Sequence, residues 1–326
     1  MPLETLLKQQ IKHSGPMNVS TFMELVLSHP QYGYYMTRDP FGVSGDFTTA
    51  PEISQMFGEM IGVFLADTWM KMGAPERFTL AECGPGRGTL MADIMRSTRG
   101  VIGFHAACQI CFLEVSPVLR KAQAAALLAY NPVWVDTLDE VSTEAPVLVL
   151  GNEFLDALPI HQFIGEQERC ITHDAQQGFV FTHPPVSVVE RSPARESFMS
   201  QVSVMLKRSG GAGLFIDYGY ESGTGDTLQA VHTHKPCHVL EHIGEADITA
   251  HVDFGAFRQC VPSQITTQGA FLKALGIDAR AQALSQISGG EDIQAALHRL
   301  THDDEMGTLF KVMGVTHDQT LNLAGF

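Results

Sequence analysis

Short apolar runs alternate with helical patterns from residue 78 onwards, and this alternation constrains the fold more than any other feature. The apolar runs have the length of strands and cover residues 78–83, 110–115, 133–135, 147–150 and 213–216. Apolar residues at helical spacing fall between them, at 89–97, 117–128 and 196–208. Strands that alternate with helices form parallel βαβ units, whose helices cover both faces of a twisted sheet. The sequence therefore predicts an α/β protein with one doubly wound sheet.

The segments on either side of this pattern read differently. Helices are predicted at 1–14, 20–28 and 53–71, with a glycine-rich aromatic loop before the last. Short β runs separated by polar turns within 160–183 predict a β-meander inserted after the fourth strand. We therefore predict three parts: an N-terminal helical lobe at 1–75, a Rossmann-like core at 76–220 with an insertion at 160–200, and strands and helices at 221–326 that complete the sheet and cap it.

Composition and charge narrow the possible functions. With 326 residues, 44% hydrophobic and 17% charged, the chain has ordinary globular composition, which excludes fibrous and disordered classes. No apolar run approaches the roughly 18 residues of a membrane span, so no membrane insertion is expected. The 21 basic and 36 acidic side chains give a net charge of −15, which argues against nucleic-acid binding and favours a basic protein segment or a cationic small molecule as partner. The oligomeric state stays open.

Targeting and metal signals are weak. Glu4, Lys8 and Lys12 lie where a signal or transit segment would be apolar or rich in arginine and serine, so a cytoplasmic location is expected. Cys108 and Cys111 form a C-x-x-C pair inside an apolar run, which favours core thiols over a zinc site. A loop at 232–242 is rich in histidine, but its spacing matches no ligand pattern, so no metal is expected.

A glycine-rich segment, ECGPGRGT at 82–89, directly follows the first predicted strand and directly precedes a helix. Gly84, Gly86 and Gly88 allow a tight turn and a close approach of the backbone to a ligand. A phosphate-binding P-loop would need a lysine after the last glycine, and a dinucleotide fingerprint would need a glycine where the threonine stands. The spacing, with Glu82 ahead of the glycines, instead resembles the first motif of S-adenosylmethionine methyltransferases.

Acidic residues follow the second and fourth predicted strands, at the edge where open α/β sheets bind ligands. Glu114 can accept hydrogen bonds from both hydroxyls of a ribose, although a surface glutamate is the alternative. Asn152, Glu153 and Asp156 would lie beside the reactive end of a cofactor. Carboxylates there are costly to bury unless they meet a cation, and a guanidinium fits because it stays charged. Helix capping by Asn152 or Asp156 is the alternative.

Further motifs cover nearly the whole chain and resemble the MidA-type methyltransferases, relatives of the mitochondrial complex I assembly factor that dimethylates an arginine symmetrically. Beyond the glycine loop, the shared segments are YGYY at 32–35, GDF at 45–47, APEIS at 50–54, EVSPVL at 114–119, NEFLDALP at 152–159, DYGY at 217–220, DTLQ at 226–229, DITAHVDF at 247–254, TQ at 267–268 and MGTLFK at 306–311. The loop at 232–238 departs from the family in its many histidines.

The resemblance implies a class I methyltransferase-like sheet, S-adenosylmethionine as cofactor, and a protein substrate with an accessible arginine, possibly an NADH dehydrogenase subunit. The residues implied to bind the cofactor are Glu82, Gly84, Gly86, Gly88, Glu114 and Asn152. Those implied to form the transfer site are Asp46, Glu52, Asn152, Glu153 and Asp156.

The expected reaction is a direct in-line transfer of a methyl group to a guanidinium nitrogen. Glu153 and Asp156 would orient the guanidinium, and no strong base is required. Tyr34, Tyr35 and Phe47 either form the wall of the channel or pack the N-terminal lobe against the sheet. Two other functions stay open: a binding or assembly protein that keeps the cofactor fold without chemistry, and a small-molecule methyltransferase. The N-terminal lobe and the insertion favour a macromolecular substrate.

Overall fold

The computed structural model describes residues 2–38, 49–223, 225–287 and 290–326, so Asp46 and Phe47 lie outside the described residues. The α-helices in these ranges are α1 Pro2–Ser14, α2 Val19–Ser28, α3 Tyr34–Thr37, α4 Ala50–Ile53, α5 Gln55–Lys71, α6 Thr89–Ser97, α7 Phe104–Ala107, α8 Pro117–Ala126, α9 Pro193–Ser209, α10 Gln268–Ala274, α11 Ile277–Ser285, α12 Gly290–Thr301 and α13 Met306–Leu309. The strands are β1 Met17–Asn18, β2 Phe78–Cys83, β3 Cys108–Leu113, β4 Val133–Val135, β5 Val147–Asn152, β6 His161–Ile164, β7 Gln167–Glu168, β8 Cys170–Asp174, β9 Gly178–Phe181, β10 Val188–Arg191, β11 Gly211–Tyr220, β12 Gln229–His232, β13 Lys235–Cys237, β14 Asp247–Thr249, β15 Val252–Asp253, β16 Ser263–Thr267 and β17 Phe310–Val315.

The central sheet has the strand order β4-β3-β2-β5-β11-β17-β16, and β15 pairs with the end of β11. The strands from β4 to β11 are parallel, whereas β17 is antiparallel to both of its neighbours. From β2 the chain fills one side of the sheet with β3 and β4 and the other side with β5 and β11. The crevice beyond the carboxyl ends of β2 and β5 is therefore the topological switch point, where such sheets bind ligands. The predicted doubly wound α/β fold is confirmed.

The core explains why the sequence reads as uninterrupted apolar runs. Strands β2 and β5 are buried along their whole length, because helices cover both faces of a parallel sheet. Successive side chains point to opposite faces, so Leu80 and Leu148 pack with α5 and α6, whereas Ala81 and Val149 pack with α9. This packing fixes the positions of the carboxyl ends of β2 and β5, where the candidate site lies.

The inserted segment forms two hairpins, β6–β7 and β8–β9, and each hairpin pairs with one further strand. Strand β6 pairs with β10, and β8 pairs with β1 at the start of the N-terminal lobe. A third hydrophobic cluster, which includes Leu7, Phe22, Ile171, Ala230 and Ile248, joins these hairpins to α1, α2, β12 and β14. The insertion therefore holds the N-terminal helices over the carboxyl edge of the sheet, while the three-part division of the chain stays a prediction.

Several element boundaries differ from the sequence-based ones for local reasons. The helix predicted at 53–71 is broken at Ser54, whose backbone is extended and whose hydroxyl accepts a hydrogen bond from Met56 N at 3.2 Å. Helix α2 begins at Val19, one residue before the predicted start, and is capped by Asn18, whose side chain accepts from Thr21 N. Strand β11 runs on to Tyr220, beyond the predicted end at residue 216.

No helix among the described residues is both long and apolar enough to cross a bilayer. In the histidine-rich loop, His232 and His242 stack with ring centroids 4.2 Å apart. The described part of the chain gathers no group of three or more His, Cys, Asp or Glu side chains that could hold a metal ion.

Candidate active site

The glycine loop connects β2 to α6 through a backbone that glycine adopts most readily. Gly84, Gly86 and Gly88 have φ angles of 64°, 54° and 84°, in the left-handed region where a Cβ is strained. A Cβ on Gly84 would also lie 2.8 Å from Cδ2 of Phe154. Gly88 is the N-cap of α6, so the loop ends at the unpaired N–H groups of that helix.

A cavity of about 570 Å³, called here the main cavity, opens beyond the carboxyl ends of β2, β3 and β5. The predicted site residues that line it are Gly84, Gly86, Glu114, Glu153 and Asp156. A small cavity of about 40 Å³ is lined by Gly84, Gly86 and Glu153 together with Glu52, Glu82 and Asn152. The structure thus gathers these predicted residues around one crevice, whereas Gly88 lies behind it against Gln123.

Glu114 is held rigidly at the end of β3. Its Oε1 accepts from the backbone N–H of Ser116 at 2.7 Å, and its Oε2 accepts from Nε2 of Gln123 at 3.2 Å. The same Gln123 amide donates to the carbonyl of Gly86 at 2.7 Å, and Trp134 donates to its oxygen at 2.8 Å. Burial raises the pKa of Glu114 despite these bonds. Gln123 therefore couples the glycine loop to Glu114, a role that no sequence motif indicated.

Two buried acceptors at the small cavity, Oε2 of Glu82 and Oδ1 of Asn152, lack a hydrogen-bond partner among the described residues. Glu82 is 2% exposed, and burial raises its pKa to about 8. Such acceptors suit a buried donor, because an unpaired polar group in the interior costs free energy. The ammonium group at the amino-acid end of the predicted cofactor fits this requirement.

Glu52 ties α4 to the start of α6, because its Oε1 accepts from the hydroxyl of Thr89 at 2.6 Å. Glu153 follows β5 with φ 50°, a left-handed backbone that non-glycine residues rarely adopt. Its Oε1 accepts from Ala50 N at 2.9 Å and from Nδ2 of Asn152 at 3.1 Å. Burial raises the pKa of Glu153 to about 7. This strained position is the kind of backbone that functional sites retain.

Asp156 lies deeper in the main cavity and is 6% exposed. The Tyr218 hydroxyl donates to its Oδ2 at 2.5 Å, and Ala157 N donates to its Oδ1 at 2.9 Å. Burial raises the pKa of Asp156, against the opposing effect of the Tyr218 hydrogen bond. The carboxylate is therefore fixed in orientation, with Tyr218 forming part of the cavity wall.

Asp217 and Arg195 fix the backbone that carries Asp156. Asp217 is fully buried within β11, which extends to Tyr220. Its carboxylate accepts from the backbone N–H groups of Leu155 at 3.0 Å and Asp156 at 3.1 Å. The buried Arg195 guanidinium donates to the carbonyl of Asp156 at 2.9 Å and to the carbonyls of Ala250 and His251. The Asp217 carboxylate thus accepts from the N–H of Asp156, and the Arg195 guanidinium donates to its carbonyl, so both fix its backbone.

The structure adds Asp247 to the main cavity, beside Tyr35, one of the aromatic residues predicted for the channel wall or for packing. The Tyr35 hydroxyl donates to Oδ1 of Asp247 at 2.7 Å, and Asp247 is 7% exposed. Tyr35 thus forms cavity wall, whereas Tyr34 is fully buried and packs in the cluster with α1 and α2. The family resemblance included the segments that contain Tyr35 and Asp247, but it gave Asp247 no role. Helix α3 and strand β14 are distant in the sequence and come together only in the tertiary fold.

Carboxylates dominate the charge of the main cavity. Those that line it are Glu114, Asp136, Glu153, Asp156 and Asp247, and no Lys, Arg or His of the described residues does so. Apolar side chains such as Leu138 and Phe198 form much of the remaining wall. Asp136 is exposed and pairs with Arg120, whereas Glu114 and Asp156 are buried. Burying a carboxylate is costly, so the cavity suits a ligand that brings its own positive charge.

Comparisons with known proteins agree with this geometry. A crystal structure of a Burkholderia thailandensis protein bound to S-adenosyl-homocysteine superposes with a TM-score of 0.85 and 28% identity, covering 99% of this chain and 93% of that one. The mitochondrial protein arginine methyltransferase NDUFAF7 of Danio rerio is 32% identical, over 97% of this chain and 87% of the relative. The human protein of the same name is 31% identical, over 98% and 84%.

These relatives correct one expectation. The chain was expected in the cytoplasm because its first residues resemble neither a signal nor a transit segment. The relatives from Danio rerio and Homo sapiens are named mitochondrial, which contradicts that expectation. The charge of a few N-terminal residues is a weak guide, since it says nothing about the compartment in which related chains work.

A family profile matches residues 60–271, which include the glycine loop, β5 and β11. The family is described as "putative S-adenosyl-L-methionine-dependent methyltransferase". The match covers more than half of the chain, and the curated relatives extend it to nearly the full length. The chain therefore belongs to this family of S-adenosyl-L-methionine-dependent methyltransferases.

Proposed function

We propose that this methyltransferase modifies an arginine side chain of a protein substrate. The main cavity carries the proposal, because buried carboxylates converge there beside the glycine loop without a basic side chain of the described residues. A guanidinium keeps its charge at any working pH and offers a planar set of donors to carboxylates. Relatives at 31–34% identity are named protein arginine methyltransferases, which supports the same chemistry.

The proposal gives each end of the crevice a separate task. S-adenosylmethionine supplies an electrophilic methyl group when bound. Glu82 and Asn152 would hold its ammonium group, since both present unpaired acceptors. Glu114, fixed by Ser116 and Gln123, would accept from the ribose hydroxyls. The backbone at Gly84 and Gly86 would lie against the cofactor.

Glu153, Asp156 and Asp247 would bind and orient the guanidinium. Their hydrogen bonds to Ala50 N, Tyr218 and Tyr35 fix each carboxylate before the substrate arrives. Such preorganisation favours the reaction by positioning, and it localises the guanidinium charge away from the attacking nitrogen. The pKa of Glu153 near 7 would fall once the cation pairs with it, so the carboxylate would be ionised in the complex.

A subunit of the respiratory NADH dehydrogenase is the candidate substrate, on the resemblance to complex I assembly factors. We propose to incubate the protein with labelled S-adenosylmethionine and native mitochondrial extract, and then to identify the labelled polypeptide and residue. We expect methylated arginine. Cofactor binding without label on any arginine would favour an assembly role without chemistry, and label on a small metabolite would favour a small-molecule methyltransferase.

Glu153→Gln tests the proposed site directly. Removing the carboxylate leaves the shape of the side chain, so S-adenosyl-homocysteine affinity should persist while methyl incorporation falls about a hundredfold, the loss typical of truncating a buried charge pair. Glu166→Gln is the matched control, because Glu166 is exposed in the turn between β6 and β7. Undiminished incorporation by Glu153→Gln would remove Glu153 from the mechanism.

A further inference from the structure

A second large hollow lies beside the main cavity, next to β12. It has a volume of about 710 Å³ and lies between the end of β9, the segment that follows it, and β12–β13. We call it the flanking groove. Its walls are largely apolar, and the residues that form them include Phe181, Pro184, Leu228, Val231, Pro236 and Val239.

The flanking groove adjoins the main cavity. Gln229 and Val231 line both hollows. The two residues are separated by one position on β12, so their side chains lie on the same face of that strand. Gln229 also lies close to Thr249, a residue of the main-cavity wall. A ligand can therefore extend from one hollow to the other along a single face of β12.

The wall of the flanking groove is built around a buried cation, Arg169. Arg169 is 4% exposed. The central carbon of its guanidinium lies 3.7 Å from the ring centroid of Phe181. The guanidinium donates to Oε1 of Gln162 at 2.8 Å, to Oδ2 of Asp226 at 3.1 Å and to the carbonyl of His183 at 3.0 Å. Its charge is thus balanced inside the wall, and its role is to hold the groove in shape.

The two hollows differ in charge. Five carboxylates and no basic side chain of the described residues line the main cavity, and one of the five, Asp136, pairs with Arg120 outside the wall. The flanking groove has one carboxylate, Asp226, which pairs with Arg169. A cation is therefore favoured only in the main cavity. The groove has an apolar and aromatic surface, so an apolar side chain that is buried there contributes favourable binding free energy.

We propose that the flanking groove binds the substrate polypeptide next to the methylated arginine and accepts an apolar residue of that segment. The inference rests on the proposed function and specifies its substrate: an extended segment with an arginine and an apolar neighbour. The arginine enters the acidic main cavity, and the apolar side chain packs against Leu228 and Pro236. The shared face of β12 supports the backbone between them.

The test uses synthetic peptides with one central arginine in a glycine–serine background, in which each flanking position in turn carries leucine. We expect the wild-type protein to show a kcat/KM about tenfold higher when leucine stands at one flanking position, as one buried apolar side chain provides. Leu228→Glu should abolish this gain and leave kcat/KM for the leucine-free peptide unchanged. Pro236→Glu, at an exposed position of β13, should do the same without disturbing the core.

Ile102→Glu is the matched control, because Ile102 is 96% exposed and lies outside both hollows; it should keep the leucine preference. Wild-type protein without a leucine preference, or variants that retain it, would overturn the groove while leaving arginine methylation intact. Failure to methylate any peptide would also overturn the groove. The proposed function fails separately, if no arginine of any protein in the extract is labelled.

Discussion

Glu82 shows how the burial and hydrogen bonding of a single residue can indicate what the site binds. Its carboxylate is almost fully buried at the end of β2, and one of its oxygens has no partner among the described residues. Burial raises its pKa from 4.5 to about 8. A folded-state pKa above the unfolded one means that stability is fully present below about pH 4.5 and is lost as the pH rises towards 8.

We therefore expect wild-type protein without cofactor to lose about 3 kcal/mol of unfolding free energy relative to Glu82→Gln between about pH 5 and pH 8. Urea unfolding of both proteins at each pH measures the difference. S-adenosyl-homocysteine should lower the pKa of Glu82 through its ammonium group, so its binding near pH 7 should release protons in wild type and not in Glu82→Gln. Parallel pH profiles for the two proteins would contradict this account of the buried carboxylate.

Glu153 illustrates which site residues a sequence reveals. Its identity and its place after the fourth strand are readable, because the carboxyl ends of parallel strands share one edge. Its left-handed backbone cannot be read from the sequence, since it depends on contacts with Ala50 N and with the carbonyl of Ile216 in β11. The roles of Gln123 and Asp247 could not be predicted from the sequence for the same reason. Each side chain reaches the site from an element that is distant in the sequence.

At the scale of elements, the β2–α6 connection depends on glycine for conformation and for space. We expect Gly84→Ala to weaken S-adenosyl-homocysteine binding at least about tenfold, because the new Cβ must displace Phe154 in the wall of the main cavity. The left-handed backbone should also cost about 1–2 kcal/mol of stability. Calorimetric titration and urea unfolding measure the two effects.

Gly165→Ala separates those effects. Gly165 has φ 61°, nearly that of Gly84, but a Cβ there would meet nothing within 4 Å. It should lose similar stability and keep its cofactor affinity. Equal affinity losses in the two variants would mean that backbone strain, and not space beside the cofactor, explains the effect of Gly84→Ala.

Elements whose bounds depend on neighbouring residues could be predicted from the sequence, and those that depend on residues distant in the sequence could not. The bounds of β2, β4 and α6 match the sequence-based ones. Burial along the whole of β2 produces its apolar run, and the glycines mark the turn into α6. The pairing of β8 with β1 was not predictable, since its partners lie more than 150 residues apart and each is short. The break at Ser54 depends on one hydroxyl that a helical pattern cannot show.

At the scale of the whole molecule, the fold gathers acidic side chains that follow β3, β4 and β5, together with Asp247 of β14, into one cavity. The chain has a net charge of −15. Low-dielectric walls such as Leu138 and Phe198 concentrate that field at the cavity mouth. The parallel sheet makes this possible, because it delivers strand ends from distant parts of the sequence to one edge. Association with a basic segment should then depend on salt.

We expect kcat/KM for an arginine peptide to fall about tenfold between about 0.05 and 0.5 M salt, while kcat changes little, because screening slows encounter and leaves the assembled site intact. Steady-state kinetics across salt concentrations measures both constants. The affinity for S-adenosyl-homocysteine is the internal control, since its amino-acid end carries both charges and gains little from a distant field. A kcat/KM that did not change with salt would mean that the carboxylates act only after contact, through orientation of the guanidinium and not through attraction from solution.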